Sequence, residues 1–365
     1  MSTSERQPSK GQSSKPFTVR APGRVNLIGG HVDFHEGPVI CCAVDRAIEI
    51  EVHPTAESVI RLESAGFDDA VVIPLGAATM RSAATQPEWG RLVEAMIKLA
   101  DRYGVTVAGF DAHVRSDLAI GGGLSSSAAF EVGCAVALLA RVAATMEPTL
   151  IARWAQEAEH LATGVPCGIQ DQMASVLGGL VLLDCRDLSV RTLRIPDGVS
   201  IVVIDSGQSR TLEGSPWAAR RAESFDDARA IGVDVLRDAT VGMVGARPRA
   251  RHVVEEIARV WSAAEALDAG DVEQLGNLMS QSHQSSRVLW ESSTPELDVI
   301  VEEAVAAGAF GARLTGGGFG GCAVALCPTD ESERICAAIT ERASQRNGQS
   351  VTAGVRQIAS GATVI

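Results

Sequence analysis

Aromatic side chains are scarce, at 4% of the chain, so a buried core must be assembled from Ala, Val, Leu and Ile, which the 46% hydrophobic fraction supplies. Basic residues are outnumbered, 32 Lys and Arg against 45 Asp and Glu, for a formal charge of −13. A nucleic-acid partner needs a basic face and is excluded on that ground; a small anionic ligand would need a locally positive pocket. The eight cysteines contain no CxxC pair and sit mostly in apolar runs, where a free thiol behaves as a small hydrophobe. The seven histidines show neither HExxH nor zinc-finger spacing, which argues against a structural zinc site. No segment approaches the roughly 20 consecutive apolar residues of a membrane span. The opening MSTSERQPSKGQSSKP (1–16) lacks the apolar stretch of a signal peptide and is expected to be a disordered tail. A soluble, cytoplasmic chain that acts as a monomer, with no membrane partner, is the expectation.

What is present is a 365-residue alternation of short strands and amphipathic helices, long enough for two closely packed domains. PVICCAVDRAIEIEVHP (38–54) reads as a strand pair crossing a core, and WGRLVEAMIKLADRYG as a helix ending at Gly104. TLIARWAQEAEHLAT predicts a helix that stops at Gly164, and another begins near Ile169. Pro196-Asp197-Gly198 is a turn signal and marks the predicted boundary between domains at 17–196 and 197–365. Helical spacing recurs at 218–231, 251–269, 271–285 and 295–307. No internal repeat is present. Mixed strands and helices with hairpins predict an α+β fold rather than a doubly wound parallel sheet.

Four stretches carry chemistry. In GGGLSSSAA (121–129), three glycines allow close backbone approach, three serines offer hydroxyls, and an apolar helix follows at once. The stretch is either a serine-capped helix after a glycine turn or a site where helix amides and the helix dipole meet an anion. It is neither GxxxxGK[ST] nor GxGxxG. A magnesium ion would resolve the charge conflict of an anion in an acidic protein, and Ser127 is a suitable oxygen ligand. In AEHLATGVPCGIQDQMAS, glycines and a proline force a tight turn between Glu159 and Asp171. These are either solvated helix residues or two carboxylates facing one pocket, one for a hard cation and one for a hydroxyl proton.

GRVNLIGGHVDFHEG (23–37) packs Arg24, Asn26, His31, Asp33 and four glycines into fifteen residues. His31 and Asp33 would project to one side of an extended segment, able to bond adjacent hydroxyls of a polyol. Finally, the five glycines of LTGGGFGG (314–321) read as a bulge or as backbone passing close to a ligand.

Taken in order, these segments resemble the GHMP small-molecule kinases and, more narrowly, the galactokinase family. APGRVNLIGGHVDF is similar to the galactokinase signature, GGGLSSSAAF to the family's phosphate loop, and LTGGGFGGC to its third motif. GVPCGIQDQMAS, LLDCRDL, SPWAARRAE and SHQSSRVLWESSTPELD extend the likeness over almost the whole chain from Phe17. The resemblance implies a two-domain α+β fold with the active site between the domains. It implies ATP against Gly121, Gly122, Gly123, Leu124, Ser125, Ser126 and Ser127, with Mg²⁺ on Ser127 and Glu159. Asp171 would act on the sugar C1 hydroxyl as general base or orienting anion, with Arg24 beside it. Gly30, His31, Val32, Asp33, Gly168 and Trp217 would form the sugar site. The chain departs from the family at two of these, with Gly30 in place of Glu and Trp217 in place of Tyr. The family glutamate is expected to meet the C6 hydroxyl, so its absence suits galactose less and a sugar without that group, such as L-arabinose, more. A non-catalytic sugar and ATP sensor is the third reading, and the complete catalytic set weighs against it.

Overall fold

The computed structural model describes residues 13–76, 86–119, 121–208 and 216–365. Most of the predicted N-terminal tail, 1–12, lies outside that range. The architecture is α+β, built on two sheets.

The larger sheet contains strands β1 (Phe17–Ile28), β2 (Pro38–Pro54), β3 (Val59–Ser64), β4 (Phe67–Pro74), β5 (Phe110–Ser116), β6 (Leu180–Asp184) and β7 (Val190–Leu193). The smaller holds β8 (Val199–Asp205), β9 (Gly311–Leu314), β10 (Cys322–Pro328) and β11 (Thr352–Arg356), in the order β11-β8-β10-β9. The chain passes from one sheet to the other between Leu193 and Val199. It then returns. A last strand, β12 (Thr363–Val364), pairs with β1 through Val19 and Val364 and makes the larger sheet eight-stranded.

The segment 38–54 is one strand, not a pair. β1 runs along it from Phe17 opposite Val52 to Ile28 opposite Ile40, while β5 pairs with one end and β6 with the other. With no Gly or Pro between Val39 and His53 there is nothing to turn the chain, and three partners satisfy its backbone in succession.

Helix α1 (Glu88–Leu99) tightens into a single 3₁₀ turn before Gly104. α2 (Ser126–Arg141), α3 (Pro148–Thr163) and α4 (Gln170–Leu177) follow. α2 packs on β1 and β2, and α3 on α1, α2 and α4. Fully buried Trp154 of α3 donates its indole N–H to the Met96 carbonyl at 3.0 Å, so the apolar body is buried without orphaning the polar tip. Beyond β8 come α5 (Trp217–Ile231), α6 (Pro248–Ala269), α7 (Val272–Ser285), α8 (Pro295–Ala306) and α9 (Ser332–Asn347). A π-helical turn, Ser286–Trp290, continues α7. α8 and α9 cover the small sheet, whereas α6 and α7 pack back against β1, β2 and β9. This crossing brings the glycine-rich turn after β9 against β1, where the site forms.

Candidate active site

A cavity of about 310 Å³ opens where β1, the Gly121–Ser127 loop, the α3–α4 turn, α5 and the turn after β9 converge. Arg24, Gly30, His31, Asp33, Gly121, Gly123, Ser125, Ser126, Ser127, Glu159, Gly168, Asp171 and Trp217 all line it. Three predicted residues do not. Val32 is fully buried in the apolar core, and its carbonyl accepts from the amides of His35 and Gly37. Gly122 and Leu124 face the other side of their loop and line a smaller cavity behind it. Consecutive residues of a tight loop cannot all present to one face.

At the centre is a two-pronged ion pair. Arg24 donates from Nε to Asp171 Oδ1 at 2.6 Å and from Nη2 to Asp171 Oδ2 at 2.5 Å, while Nη1 donates to the Gly123 carbonyl at 2.8 Å. Gly23 makes this junction possible. A Cβ there would stand 2.7 Å from the Leu124 carbonyl oxygen, which instead accepts from the Arg24 amide at 3.0 Å. The phosphate-binding candidate and the carboxylate are thereby locked to the same strand.

Asp171 receives two further donors: Gln170 Nε2 reaches Oδ1 at 3.2 Å, and the Ser125 hydroxyl bonds Oδ2. Ser125 sits in the left-handed region (φ 58) ahead of α2 and makes no cap bond to the helix. The serine-capped alternative therefore fails, because the hydroxyl turns to the carboxylate and leaves the helix amides uncapped. Burial pushes the Asp171 carboxyl up, but the Arg24 charge and the bonds from Arg24, Ser125 and Gln170 outweigh it and hold the group below the ordinary carboxylate range.

Glu159, at the end of α3, is pushed up by burial and by the Asp171 charge, against bonds from Cys167 Sγ and Gln172 Nε2 to its Oε2. Gln172 Nε2 also donates to Oε2 of Glu131 at 3.0 Å, a fully buried carboxyl that burial and Glu159 raise well above its usual range. This crowding of acid beside the Gly121–Ser127 loop favours a cation. The Glu159 carboxylate and Ser127 hydroxyl are hard oxygen donors of the kind Mg²⁺ takes, and Mg²⁺ uses one or two protein carboxylates together with phosphate oxygens. Among the described residues no cluster of three His, Cys, Asp or Glu forms a self-sufficient metal site.

His31 and Asp33 do not share a face of an extended segment, since the chain turns there. His31 is in the left-handed region (φ 62) and stacks on Trp290 at 4.9 Å between ring centroids, and Asp33 opens a 3₁₀ turn. Asp33 lies against Gly168 so closely that any Cβ at 168 would overlap its carboxylate. Burial and the Asp171 charge raise Asp33 to about 6, despite bonds from the Phe34 and Gln170 amides. Trp217 starts α5 and meets Phe34 edge-on at 5.9 Å.

Gly30 leaves no hole. Its amide donates to Glu256 Oε1 at 3.1 Å and its carbonyl accepts from His252 Nε2 at 3.0 Å. A Cβ there would overlap Nη2 of Arg313, a fully buried residue of β9. Glu36, the other carboxylate within reach in sequence, pairs with Arg186 at 2.8 Å on the outside. Sequence reasoning missed Arg313, Trp290 and Gln170. The one visible signal was a charged residue inside the otherwise apolar Gly311–Leu314 strand.

The fold and this site define a class before they define a member. The GHMP kinases N terminal domain model matches residues 91–179, the GHMP kinases C terminal model 263–345, and the galactokinase galactose-binding signature 9–54. A mevalonate kinase of Methanococcus jannaschii superimposes with a TM-score of 0.70 at 19% identity, covering 96% of this chain and all of that one, which shows the shared fold. A galactokinase of Roseiflexus sp. (strain RS-1) is 36% identical over 352 residues, 92% of this chain and 89% of that protein. The galactokinase of Lactococcus lactis, solved in complex with galactose, superimposes with a TM-score of 0.88 at 28% identity, covering 97% of this chain and 96% of that one. The chain belongs to the galactokinase family of GHMP kinases, and is an ATP-dependent, galactokinase-like sugar kinase.

Proposed function

We propose that the chain transfers the γ-phosphoryl group of ATP to the C1 hydroxyl of galactose or a closely related aldose. The observation that carries this is the Arg24–Asp171 fork, bonded directly to the loop at Gly123 and Ser125. ATP phosphates lie against Gly121, Gly123 and Ser125 to Ser127, where loop and helix amides face the anion. Ser127 and Glu159 hold Mg²⁺, which when bound neutralises charge on the transferring group. His31, Asp33 and Trp217 form the sugar wall.

Asp171, kept ionised, binds and orients the C1 hydroxyl, and Arg24 offsets charge that develops on the transferring group. Two donors already occupy each Asp171 oxygen, and a carboxylate offers about four acceptor positions. The sugar hydroxyl therefore takes the place of one donor, and the Ser125 hydroxyl, on the phosphate loop, is the one free to rotate away.

A pentose such as L-arabinose is a second reading. It is favoured by Gly30, which brings no side chain to the C6 end of the sugar. An ADP-release assay across galactose, L-arabinose, galactosamine and other aldoses tests the assignment, with galactose or arabinose expected to turn over fastest. Asp171→Asn is expected to abolish turnover while ATP still binds by calorimetry; an active Asp171→Asn enzyme would refute the role given to Asp171.

A further inference from the structure

Position 30 and Asp171 are joined by a buried, polarised path of hydrogen bonds. Arg313 Nη1 donates to the carbonyl oxygen of Asn26 at 3.2 Å and to its Oδ1 at 2.6 Å. Asn26 Nδ2 donates in turn to Gln170 Oε1, and Gln170 Nε2 donates to Asp171 Oδ1 at 3.2 Å. Arg313, Asn26 and Gln170 are all more than nine-tenths buried, at 0%, 3% and 6% exposure.

The direction of the path is fixed at both ends, because Arg313 can only donate and the ionised Asp171 carboxylate can only accept. An amide side chain has a donating and an accepting end that can exchange by a flip, whereas a guanidinium only donates. Asn26 accepts from Arg313 at Oδ1, and its Nδ2 donates both to Gln170 and to the Gly29 carbonyl at 3.3 Å, so its oxygen faces the guanidinium and its nitrogen faces Gln170. Gln170 must then do the same, which presents an N–H group to Asp171. Without the guanidinium, Asn26 Oδ1 would be buried with no donor and the path would lose its anchor at that end.

Arg313 is also the residue that occupies the side-chain space of Gly30. Its Nε and Nη2 are buried without a hydrogen-bond partner among the described residues, and Nη2 stands where a Cβ of residue 30 would be. Glu256, fully buried and held at about 2 by Arg259 and Arg313 against the effect of burial, supplies the countercharge that keeps the guanidinium inside.

We propose that Arg313 is a positioning residue: it anchors the Asn26–Gln170 path that holds Asp171, and position 30 is glycine so that the guanidinium can stay in register. The proposal rests on Asp171 acting on the sugar hydroxyl. It makes Gly30 a determinant of rate as well as of sugar choice.

The test is a double-mutant cycle on the full chain with Gly30→Ala and Arg313→Met, reading kcat and KM for galactose, L-arabinose and ATP. Gly30→Ala pushes the guanidinium out of place, and kcat is expected to fall about tenfold to a hundredfold with both sugars, because a small misplacement of a reacting group costs that much. The KM values are expected to stay within about threefold, since no ligand contact is removed. In the Arg313→Met background, Gly30→Ala should cost nothing further, because the group it displaces is gone. Should Arg313→Met fail to fold, Gln170→Leu cuts the last link and serves in the same cycle, with the same non-additivity expected. Full additivity, or a Gly30→Ala enzyme in which only the sugar preference moves, overturns the proposal. Asp171→Asn keeps the two ideas apart. If that variant is inactive while Gly30→Ala keeps its kcat, the Arg313 coupling alone fails; if it is active, the role of Asp171 fails and the proposal with it.

Discussion

Arg24 and Asp171 lie 147 positions apart in sequence and meet in a two-pronged ion pair of 2.5 and 2.6 Å, with the Arg24 side chain only 4% exposed. The third arginine nitrogen holds the loop at Gly123. One side chain therefore fixes both the carboxylate proposed to face the sugar and the loop proposed to face the nucleotide.

Arg24→Lys should break this arrangement while keeping the charge, because an ammonium cannot fork across a carboxylate. A loss in kcat of about 10²-fold is expected, similar to removing one preorganised donor elsewhere. Arg24 is also the main group holding Asp171 ionised, so Arg24→Met should move the acid limb of the kcat profile upward, since loss of an opposite charge raises a carboxyl. A pH–rate series over about pH 5 to 8 for the two variants and the parent checks both.

Asp33 should behave in the opposite sense. Its folded value of about 6 lies above the unfolded 3.8, so in that window the native state keeps a proton that the unfolded chain has lost. Stability contributed by this group is then complete below the unfolded value and falls as pH rises through about 6. Asp33→Asn is expected to be more stable than the parent above that window by about 1–3 kcal/mol, and not below it. The same change should lower kcat/KM for the sugar by one to two decades, through loss of a charged hydrogen bond worth about 1.5–3 kcal/mol. Urea midpoints on either side of the window, with kinetics above it, provide the comparison.

Gly30→Glu is expected to raise the ratio of kcat/KM for galactose over L-arabinose by about tenfold, the gain of one charged hydrogen bond to a C6 hydroxyl. The new carboxylate would meet the unpartnered edge of Arg313. The ratio, not the absolute rate, is the readout, because displacement of the guanidinium lowers turnover with either sugar.

Glu159→Gln removes the carboxylate proposed to hold Mg²⁺ but keeps its shape. The half-saturating Mg²⁺ concentration at fixed ATP should rise about tenfold or more, as losing one charged ligand of a sparse site implies. Folding stability should hold or improve, because a crowded buried acid becomes neutral. An unchanged Mg²⁺ titration would show that Glu159 is not the metal ligand.

The local features of the site were legible in the sequence because each depends on neighbours in the chain. The turn between Glu159 and Asp171 needs only glycines and a proline, and both carboxylates do line the cavity. The glycine-serine loop ahead of an apolar helix likewise announces itself. The strand pair read into 38–54 was not legible as one strand, because its continuity depends on β1, β5 and β6, which arrive from elsewhere. The extended geometry assumed for His31 and Asp33 failed for a related reason: stacking on Trp290, 259 positions away, goes with a left-handed turn that sequence spacing does not encode.

Composition and motif order alone determined the fold class and singled out the residues proposed for phosphoryl transfer. Tertiary structure alone decided what Gly30 means. In the sequence it is a missing carboxylate. In the folded chain the space is filled by a guanidinium from β9, 283 positions later, held there by Glu256 and Asn26. A glycine's own side of a contact can be read from sequence, but the group that closes on it is set by packing between strands that only the fold brings together.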